Sequence, residues 1–548
     1  MGAFAFGLVF AQADLVLTNG RVWTGVERAR IEQAVAMKDG KIVAVGSSAS
    51  VKRLVGAGTR VIDLRGRFAM PGFNDAHVHF SGGAERMAEV DLTGICTLPA
   101  IQKRILEWAA AHPDAPWIRG GGWEYMCFPD NRLPTREDLD AAVSDRPAFL
   151  SAYDGHTGWA NSKAMAMAGL DKPHKYEGFG ELVADATTFI PTGCLKEGAQ
   201  GLVRKFMPRR TQAERLAALA GGMKYANSLG ITSLQNASGN DEEVELYEAL
   251  RKSGKLTIRA AIAMSAGQMT TTPDVVDSWV ALRKRFSGPW LKVAAVKFAL
   301  DGVIESHTAA MLDLYADGSK TSGKLSWTED AFRFALARVD KAGFQIYTHA
   351  IGDRAVRVAL DGYESIHSAN GRRDSRHRIE HIEVISARDV PRFGKLGVMA
   401  SMEPIHADPG TVAVWSKAVG EERVKLAFPW RTLEKAGAKL VFSSDWPASI
   451  TLDPIRGIHN AVNRQTVDGK PAGGWLPEQR VSVETALRAY TSVAAYAEFA
   501  EGFKGMLQSG YLADVIVLDR DPFVVPAGEL HTLRVQMTVV DGKVVFER

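Results

Sequence analysis

The chain has 548 residues, of which 46% are hydrophobic and 24% charged, a composition typical of globular proteins. This length exceeds that of one ordinary domain. The formal net charge is +3 and no long run of like charge occurs, so nucleic acid is not expected as a partner.

A short apolar segment opens the chain and ends in Ala11-Gln12-Ala13, a small-x-small pattern typical of signal peptidase sites. A basic stretch is missing, because Arg21 is the first Lys or Arg. Residues 1–13 are therefore either a signal-peptide remnant, which would place the protein in the periplasm or outside the cell, or the apolar tail of a cytoplasmic protein. We favour the remnant. No segment reaches the roughly 20 apolar residues that cross a bilayer, so no membrane partner is expected.

Both ends of the chain contain short strand patterns. Near the N-terminus, Asp39-Gly40 separates two apolar runs, which is a strong hairpin signal. Asp541-Gly542 stands in the same setting near the C-terminus. The sequence therefore predicts β structure at the two ends, flanking a long middle section.

A pair of histidines, His77 and His79, follows the first apolar run of that middle section. On a strand, residues at i and i+2 point to the same face, whereas a helix would turn them far apart. Neighbouring imidazoles at a strand end are suitable ligands for a divalent metal such as zinc. Alone, the pair is weak evidence for a metal site.

Four further apolar runs contain a polar residue that a metal site could use: Lys297, His349, His381 and Asp445. Helical patterns lie between these runs, for example 331–341, which Thr328 is placed to cap. Strands alternating with helices of this length predict βα units and a parallel sheet, with functional residues at the carboxyl ends of the strands.

The three cysteines, Cys96, Cys127 and Cys194, show no paired spacing. They do not form the pattern of a disulfide framework or of a zinc knuckle. We therefore expect three buried structural thiols.

Several motifs occur in a characteristic order along the chain: His77-Val78-His79, Asp154-Gly155-His156, Asp301-Gly302, the run 349–355, the run 378–381 and the run 443–447. In this order they resemble the amidohydrolase superfamily, in particular its branch of proteins like N-substituted formamide deformylase and YtcJ. The resemblance covers essentially the whole chain, from residue 14 to residue 543.

The resemblance implies an α/β fold, a distorted (β/α)8 TIM barrel over residues 68–500 with an insertion near 82–220 above the active site. Residues 14–67 and 501–548 would together form a small β-sandwich. Two independent hairpin caps are the alternative for the ends, and they would change little for function.

The family's metal ligands match positions of this chain. His77, His79 and Asp445 would bind one divalent ion, and His349 and His381 a second. Lys297 would bridge the two after carboxylation by CO2. Zinc is expected first, with manganese or iron as alternatives. Asp445 would also be catalytic, accepting a proton from the attacking water and passing it to the leaving nitrogen. In the alternative, a mononuclear site, Lys297 pairs with a carboxylate such as Asp301 or Glu305.

Further positions match the family's pattern around the substrate. Residues expected to contact substrate or to support the metal ligands are Asp154, His156, Asp301, His307, Asp353 and Trp123. Their alternatives are turn, cap and packing roles. The segment 301–307 departs from the family, because many relatives have Asp-Gly-Ser-Leu-Gly-Ser-Arg where this chain has Asp-Gly-Val-Ile-Glu-Ser-His. Substrate identity is therefore not carried over from any one relative.

These features predict a metal-dependent hydrolase that cleaves a non-peptide C–N bond, in an amide or an N-substituted formamide, with a metal-activated hydroxide. Ester, lactone or carbamate hydrolysis would use the same site. A non-catalytic binding or regulatory protein on the same fold is a remote alternative. The expected partner is a small amide-type molecule, and the size class suggests a homodimer.

Overall fold

The computed structural model describes residues 12–28, 30–268 and 270–548. The predicted signal remnant therefore lies almost entirely outside the described residues. Within them, no helix has both the length and the apolar composition that a bilayer span requires.

Eight parallel strands form a nearly closed barrel in which each strand pairs with its neighbour along the chain. This confirms the predicted fold class. We number them β1 (Phe73–Val78), β2 (Ile231–Gly239), β3 (Arg259–Ser265), β4 (Leu291–Ala299), β5 (Gln345–Ala350), β6 (Arg378–His381), β7 (Met399–Met402) and β8 (Leu440–Phe442).

The first and last strands meet just beyond their carboxyl ends. The backbone N–H of Asp445 donates to the carbonyl of His77 at 2.8 Å, and the N–H of His79 donates to the carbonyl of Trp446 at 2.8 Å. These bonds bring residues from opposite ends of the barrel sequence to one point. Polar side chains that follow β1 and β8 therefore face each other.

Helices cover the outside of the barrel. They include Phe80–Arg86, Gln212–Ser228, Asp241–Lys252, Pro273–Arg285, Glu329–Lys341, Asp353–Asn370, Val390–Leu396, Ala413–Val419, Glu421–Val424, Trp430–Lys435, Pro454–Asn463, Val483–Ala489 and Ser492–Ala497. The helix after Thr328 shows how the sequence specifies them. Thr328 caps it as predicted, accepting from the N–H of Ala331, while Phe332, Leu336 and Val339 are buried against the barrel at helical spacing.

The two chain ends build two smaller sheets beside the barrel. One has the strand order Lys41–Gly46, Ala34–Lys38, Leu15–Thr18 and Arg60–Asp63. The other combines both termini in the order Arg21–Val22, Phe68–Pro71, Val515–Leu518, Val535–Val540 and Lys543–Glu547. Residues 68–71 thus lie with the terminal strands, and the barrel begins at Phe73. Arg259 of β3, only 2% exposed, joins barrel to sheet through a bidentate pair with Asp514 at 2.7 and 3.0 Å.

Between the first barrel helix and β2, the chain forms an additional layer, which we call the insertion. Its sheet has the order Gly180–Ala184, Pro191–Glu197, Thr157–Ala160, Ala148–Ala152, Ile118–Trp123 and Val90–Asp91, and its helices are Leu98–Ala111, Arg136–Asp140, Ser162–Met167 and Gly201–Arg204. It has hydrophobic cores of its own, in which Trp123, Phe128 and Trp159 pack edge to face.

Two of the three cysteines form a disulfide within this insertion. Cys96 bonds to Cys127 across 31 residues of sequence, while Cys194 is a buried free thiol. The prediction of three free thiols is therefore wrong for Cys96 and Cys127. The strands Val90–Asp91 and Ile118–Trp123 are neighbours in the sheet of the insertion, and Cys96 and Cys127 lie in the segments that follow them. The pairing of these strands therefore brings the two cysteines together.

Candidate active site

Three side chains from the two ends of the barrel converge at the carboxyl end of its strands. The Oδ1 atom of Asp445 lies 3.3 Å from Nε2 of His77 and 3.3 Å from Nε2 of His79. The backbone of Asp445 has a φ of 57°, a left-handed conformation that is uncommon outside glycine and often found at functional sites. This turn directs the carboxylate of Asp445 towards the two imidazoles.

The arrangement of His77, His79 and Asp445 fits a metal ion. Oδ1 of Asp445 is buried and forms no hydrogen bond, although both ring nitrogens lie close to it. Ligand atoms held about 2.1 Å from a tetrahedral metal are about 3.4 Å apart, which matches the separations of 3.3 Å. The three atoms therefore have the identity and the spacing of a ligand set.

Lys297 and two more histidines adjoin this group. Nζ of Lys297 at the end of β4 lies 3.3 Å from Nε2 of His77. The ring of His381 is centred 5.0 Å from that of His77 and 4.5 Å from that of His349. The five predicted side chains of β1, β4, β5 and β6 and Asp445 therefore lie around one point. Among the described residues, three groups of side chains bring three possible ligand atoms within 4.8 Å of one another: His77–His79–Asp445, His381–His406–Asp445 and His77–Glu380–Glu403.

Burial lowers the pKa of several of these side chains, although not that of His77, where Glu380 and Asp445 outweigh burial. It lowers the pKa of Lys297 despite the nearby carboxylates of Glu380 and Asp445. It also lowers the pKa of His349 and His381 well below the usual value. Neutral imidazoles are the form that binds a metal, and an amine with a lowered pKa is the form that reacts with CO2. Lys297 makes no ion pair with Asp301 or Glu305 among its described contacts, so the alternative of a plain buried ion pair has no support here.

Each predicted histidine ligand has its second ring nitrogen fixed by a neighbour. Nδ1 of His77 donates to Glu380 at 2.7 Å, and Nδ1 of His381 donates to Glu403 at 2.8 Å. Such contacts fix the tautomer and leave the other nitrogen free for a metal. For the remaining two, the neighbours are the Ser238 hydroxyl at 2.8 Å from Nδ1 of His79 and the Gly302 carbonyl at 3.1 Å from Nε2 of His349.

Glu380 is held in place by a fully buried cation. Nε of Arg378 donates to Oε1 of Glu380 at 2.6 Å, and neither side chain is exposed. Burial alone would raise the pKa of Glu380, but Arg378 and His77 outweigh it and hold the pKa at about 2. The carboxylate therefore stays ionised and continues to accept from His77.

A cavity lies above these side chains. The residues that line it are Tyr153, Asp154, His156, Val303, Glu305, His349, Ile351, His381, Glu383, Ile405, His406, Thr411, Asp445, Ala448, Ser449 and Ile450. Its free volume is about 30 Å³, roughly the share of one water molecule in the liquid. This conformation is closed over the site, so a substrate must displace the surrounding segments to enter.

His406 is a site residue that the sequence analysis missed, as are Glu403 and Ser238. It lies in the short turn Pro404–Ala407 after β7, and its ring stacks on that of His381 at 5.8 Å. Its Nδ1 lies 3.4 Å from Glu383, and its Nε2 lies 3.7 Å from Oδ2 of Asp445. Glu403 and His406 follow a short strand, and their spacing is not specific to any kind of site. Only the fold shows that they lie beside the candidate metal ligands.

Asp154 and His156, which we expect to contact substrate or to support the metal ligands, line the cavity. The insertion supplies both, and Asp154 accepts from the Tyr125 hydroxyl at 2.9 Å and from the N–H of His156 at 2.9 Å. Nδ1 of His156 donates to Glu197 at 2.8 Å. Burial would lower the pKa of His156, but Glu197 and the other nearby carboxylates outweigh it and raise the pKa to about 9.

Asp301 and Asp353 support loops beside the site. Asp301 accepts from the backbone N–H groups of Ala310, Ile351 and Gly352 at 2.9 to 3.1 Å, and lies 3.5 Å from Nε2 of His349. Burial raises the pKa of Asp301 to about 8. Asp353 accepts from the N–H of Leu312 at 2.8 Å. Both side chains hold backbone in place and are not among the cavity's lining residues.

Two predicted contacts lie elsewhere. His307 points away from the cavity, with Nε2 donating to Asp317 at 2.5 Å and its ring against Tyr315. Trp123 is fully buried in the core of the insertion, where its Nε1 donates to the carbonyl of Leu150 at 3.0 Å. Trp123 thus has the alternative role, packing, because the insertion has a hydrophobic core of its own to fill. His307 pairs with Asp317 instead of lining the cavity.

Comparison with known proteins agrees with this geometry. The model of the amidohydrolase family matches residues 60–546. The protein LONG AFTER FAR-RED 3 of Arabidopsis thaliana is 32% identical over 92% of this chain and 87% of its own length. The N-substituted formamide deformylase of Arthrobacter pascens is 28% identical over 98% of each chain. This second relative confirms the predicted branch of the family.

A solved structure provides a further match. The chain resembles the crystal structure of an uncharacterized metal-dependent hydrolase from Pyrococcus horikoshii, with a TM-score of 0.75 and 28% identity over 94% of this chain and 99% of that one. Family and structural neighbour together support a metal-dependent hydrolase. The chain belongs to the amidohydrolase family.

Proposed function

We propose that the protein hydrolyses a non-peptide C–N bond in a small molecule, an amide or an N-substituted formamide. The observation that carries this proposal is the convergence of His77, His79 and the unpartnered Oδ1 of Asp445 beneath a closed cavity. The name of the Arthrobacter pascens relative supports a formamide as the first substrate to test.

The proposed metal centre has two divalent ions. His77, His79 and Asp445 would hold one, His349 and His381 the other, and a carbamate formed on Lys297 would bridge them. Zinc is our first expectation, with manganese or iron as alternatives. Bound there, the metal would supply an activated hydroxide at neutral pH and would polarise the carbonyl oxygen of the substrate.

Asp445 is the proposed proton carrier. Its Oδ1 faces the two histidines, and its Oδ2 lies on the cavity side, 3.7 Å from His406. Oδ2 would take the proton of the attacking water and deliver it to the nitrogen of the leaving amine. The closed cavity would limit the access of bulk water during this transfer.

Metal content and turnover test this proposal. Protein purified without chelator should contain about two metals per chain by elemental analysis, and Lys297→Met should contain about one. Formamides, amides, esters and lactones that share one apolar group should be assayed at fixed pH. Preference for an ester or lactone would reject the C–N assignment, and the absence of metal-dependent turnover on every member would reject the proposed hydrolase activity.

Asp445→Asn provides the matched variant. It preserves the shape of the side chain while removing its charge and its basicity. We expect a loss of at least about 10³-fold in kcat with unchanged circular dichroism. Full activity of the variant on any substrate would show that Asp445 is not the proton carrier.

We also infer that the protein is exported. The disulfide between Cys96 and Cys127 supports this location, since such bonds persist in oxidising compartments. Fractionation of the native host with an antibody would test it, and protein confined to the cytoplasm would reject it.

A further inference from the structure

The cavity wall contains several carboxyl groups. Besides Asp445, the carboxyl groups of Asp154, Glu305 and Glu383 line it. Among the described residues that line the cavity there is no lysine or arginine. The positive groups available to balance the carboxyls from within the protein are therefore histidines.

The contacts of these carboxyl groups differ. Glu383 accepts from Nε1 of Trp415 at 2.7 Å and faces the His406 ring at 3.4 Å. Asp154 accepts from the N–H of His156 and lies beside that residue's ring. Glu305 instead accepts a hydrogen bond at 2.9 Å from the neutral hydroxyl of Tyr153, and no ion pair of Glu305 occurs within the described parts of the chain.

Glu305 is thus a fixed carboxyl group without a counter-ion. Burial, together with the neighbouring Glu383 and Asp154, raises its pKa to about 8. At neutral pH the carboxyl is therefore mostly protonated in the absence of a cation. A cation placed beside it in the cavity would favour the ionised carboxylate, because an opposite charge within a few Å lowers the pKa. The residue also lies in the segment 301–307, where the sequence departs from the family's pattern.

We propose that Glu305 determines substrate specificity by binding a protonated amine or amidine group of the substrate. Tyr153 is a positioning residue that orients the carboxylate towards the cavity. This inference deepens the proposed function and rests on it, because it assigns the substrate class of the same site. The substrate would carry its scissile carbonyl near Asp445 and a basic nitrogen beside Glu305.

A matched substrate pair tests this specificity. N-(4-aminomethylbenzyl)formamide is cationic at neutral pH, and N-(4-methylbenzyl)formamide is its neutral near-isostere. We expect the wild type to prefer the cationic compound. Glu305→Gln should lose about 30-fold or more in kcat/KM on the cationic compound, chiefly through KM, and less than about threefold on the neutral one. Tyr153→Phe should show a selective loss of about fivefold.

Glu422→Gln, which removes an exposed carboxylate paired with Lys425, is the control and should change neither value. Equal losses on both compounds, or no loss on either, would overturn the role of Glu305. If Glu305→Gln does not fold by circular dichroism, Tyr153→Phe decides, and a lack of selectivity in its effect would overturn the inference.

A binding experiment distinguishes a failure of the cation site from a failure of the proposed function. Calorimetry of the metal-loaded protein with benzamidine and its neutral analogue benzamide should show tighter binding of benzamidine, reduced at least about tenfold by Glu305→Gln. If this holds while neither formamide is hydrolysed, the proposed bond cleavage fails and the cation site stands. If formamides are hydrolysed while benzamidine binds wild type and Glu305→Gln equally, the function stands and the cation site fails.

Discussion

Replacing Glu380 by glutamine isolates the buried pair that orients the first histidine. In the wild type both carboxylate oxygens accept, Oε1 from Arg378 at 2.6 Å and Oε2 from His77 at 2.7 Å. A glutamine has one acceptor oxygen and one donating NH2 group. If the amide NH2 faces Arg378, it meets another donor. If it faces His77, the imidazole must carry its proton on Nε2, the nitrogen that faces Asp445. In both cases the fully buried Arg378 loses its counter-ion.

The size of the effect follows from the pKa of Glu380, which falls from an ordinary 4.5 to about 2. A difference of about 2.5 units corresponds to about 3 kcal/mol. Because the pKa of the folded state is the lower one, this stability is fully present above about pH 4.5 and is lost as the pH falls towards about 2. Loss of one partner of a buried ion pair costs about 3 to 5 kcal/mol. The value from the pKa of Glu380 lies at the lower end of this range.

We therefore expect Glu380→Gln to lower the free energy of unfolding of the metal-free protein by about 3 kcal/mol at pH 7, with a smaller difference from wild type at pH 3.5. Urea unfolding measures this. Competition with a chelator should also show metal affinity reduced about 10- to 100-fold, because His77 loses its orienting partner. Glu422→Gln, at an exposed pair, is the control for the substitution itself.

A variant that unfolds at the wild-type urea concentration and binds metal as tightly would refute the reasoning. It would mean that Arg378 finds another acceptor, for which the Gln235 side chain at 2.7 Å is already in place. Loss of stability without loss of metal affinity would refute only the link between Glu380 and the metal site.

Three further variants test other parts of the structure. Cys96→Ser opens a loop of 31 residues and should lower the free energy of unfolding by about 4 kcal/mol, measured against Cys194→Ser, which leaves the disulfide intact; equal stability with wild type would count against the bond. Asp514→Asn removes the bidentate carboxylate partner of the buried Arg259 and should cost about 3 to 5 kcal/mol in urea unfolding, whereas Asp114→Asn, at an exposed position with no side-chain partner among the described residues, should cost nothing measurable. Gly83→Ala places a methyl group within the Trp446 ring, next to Asp445, and should reduce kcat about 10- to 100-fold; Gly82→Ala, which meets open space, is its control, and equal rates for the two would contradict the packing argument.

The barrel and its candidate metal ligands were predictable because both leave local patterns. Lys297 and His349 lie near the carboxyl ends of their strands, His381 ends its strand and Asp445 follows one. The carboxyl ends of parallel strands meet at one face. The i, i+2 spacing of His77 and His79 places both rings on one face of a strand, whereas a helix would separate them. These local patterns, together with the order of the motifs, therefore predict that the candidate metal ligands lie close together.

The supporting residues were not predictable for a physical reason. Ser238, Glu403 and His406 contact ligands on other strands, so their role depends on distances across the barrel that no local spacing encodes. The disulfide was unpredictable for the same reason, since its cysteines approach only when two strands of the insertion pair. Trp123 illustrates the reverse error, because an aromatic residue that fills a core cannot be told from one that lines a pocket until the layers are known.

The junction of β1 and β8 has a consequence for how the protein is made. The candidate metal ligands at this junction come from both ends of the barrel sequence. The backbone hydrogen bonds of Asp445 with His77 and of His79 with Trp446 form only when the last strand docks beside the first. During synthesis the histidine pair emerges long before the aspartate, so a growing chain can present only part of the His77–His79–Asp445 ligand set. In the proposed centre, the complete His77–His79–Asp445 set would therefore be available to a metal only after closure of the barrel, and a truncated chain that ends before residue 445 would lack the group that joins the two ends.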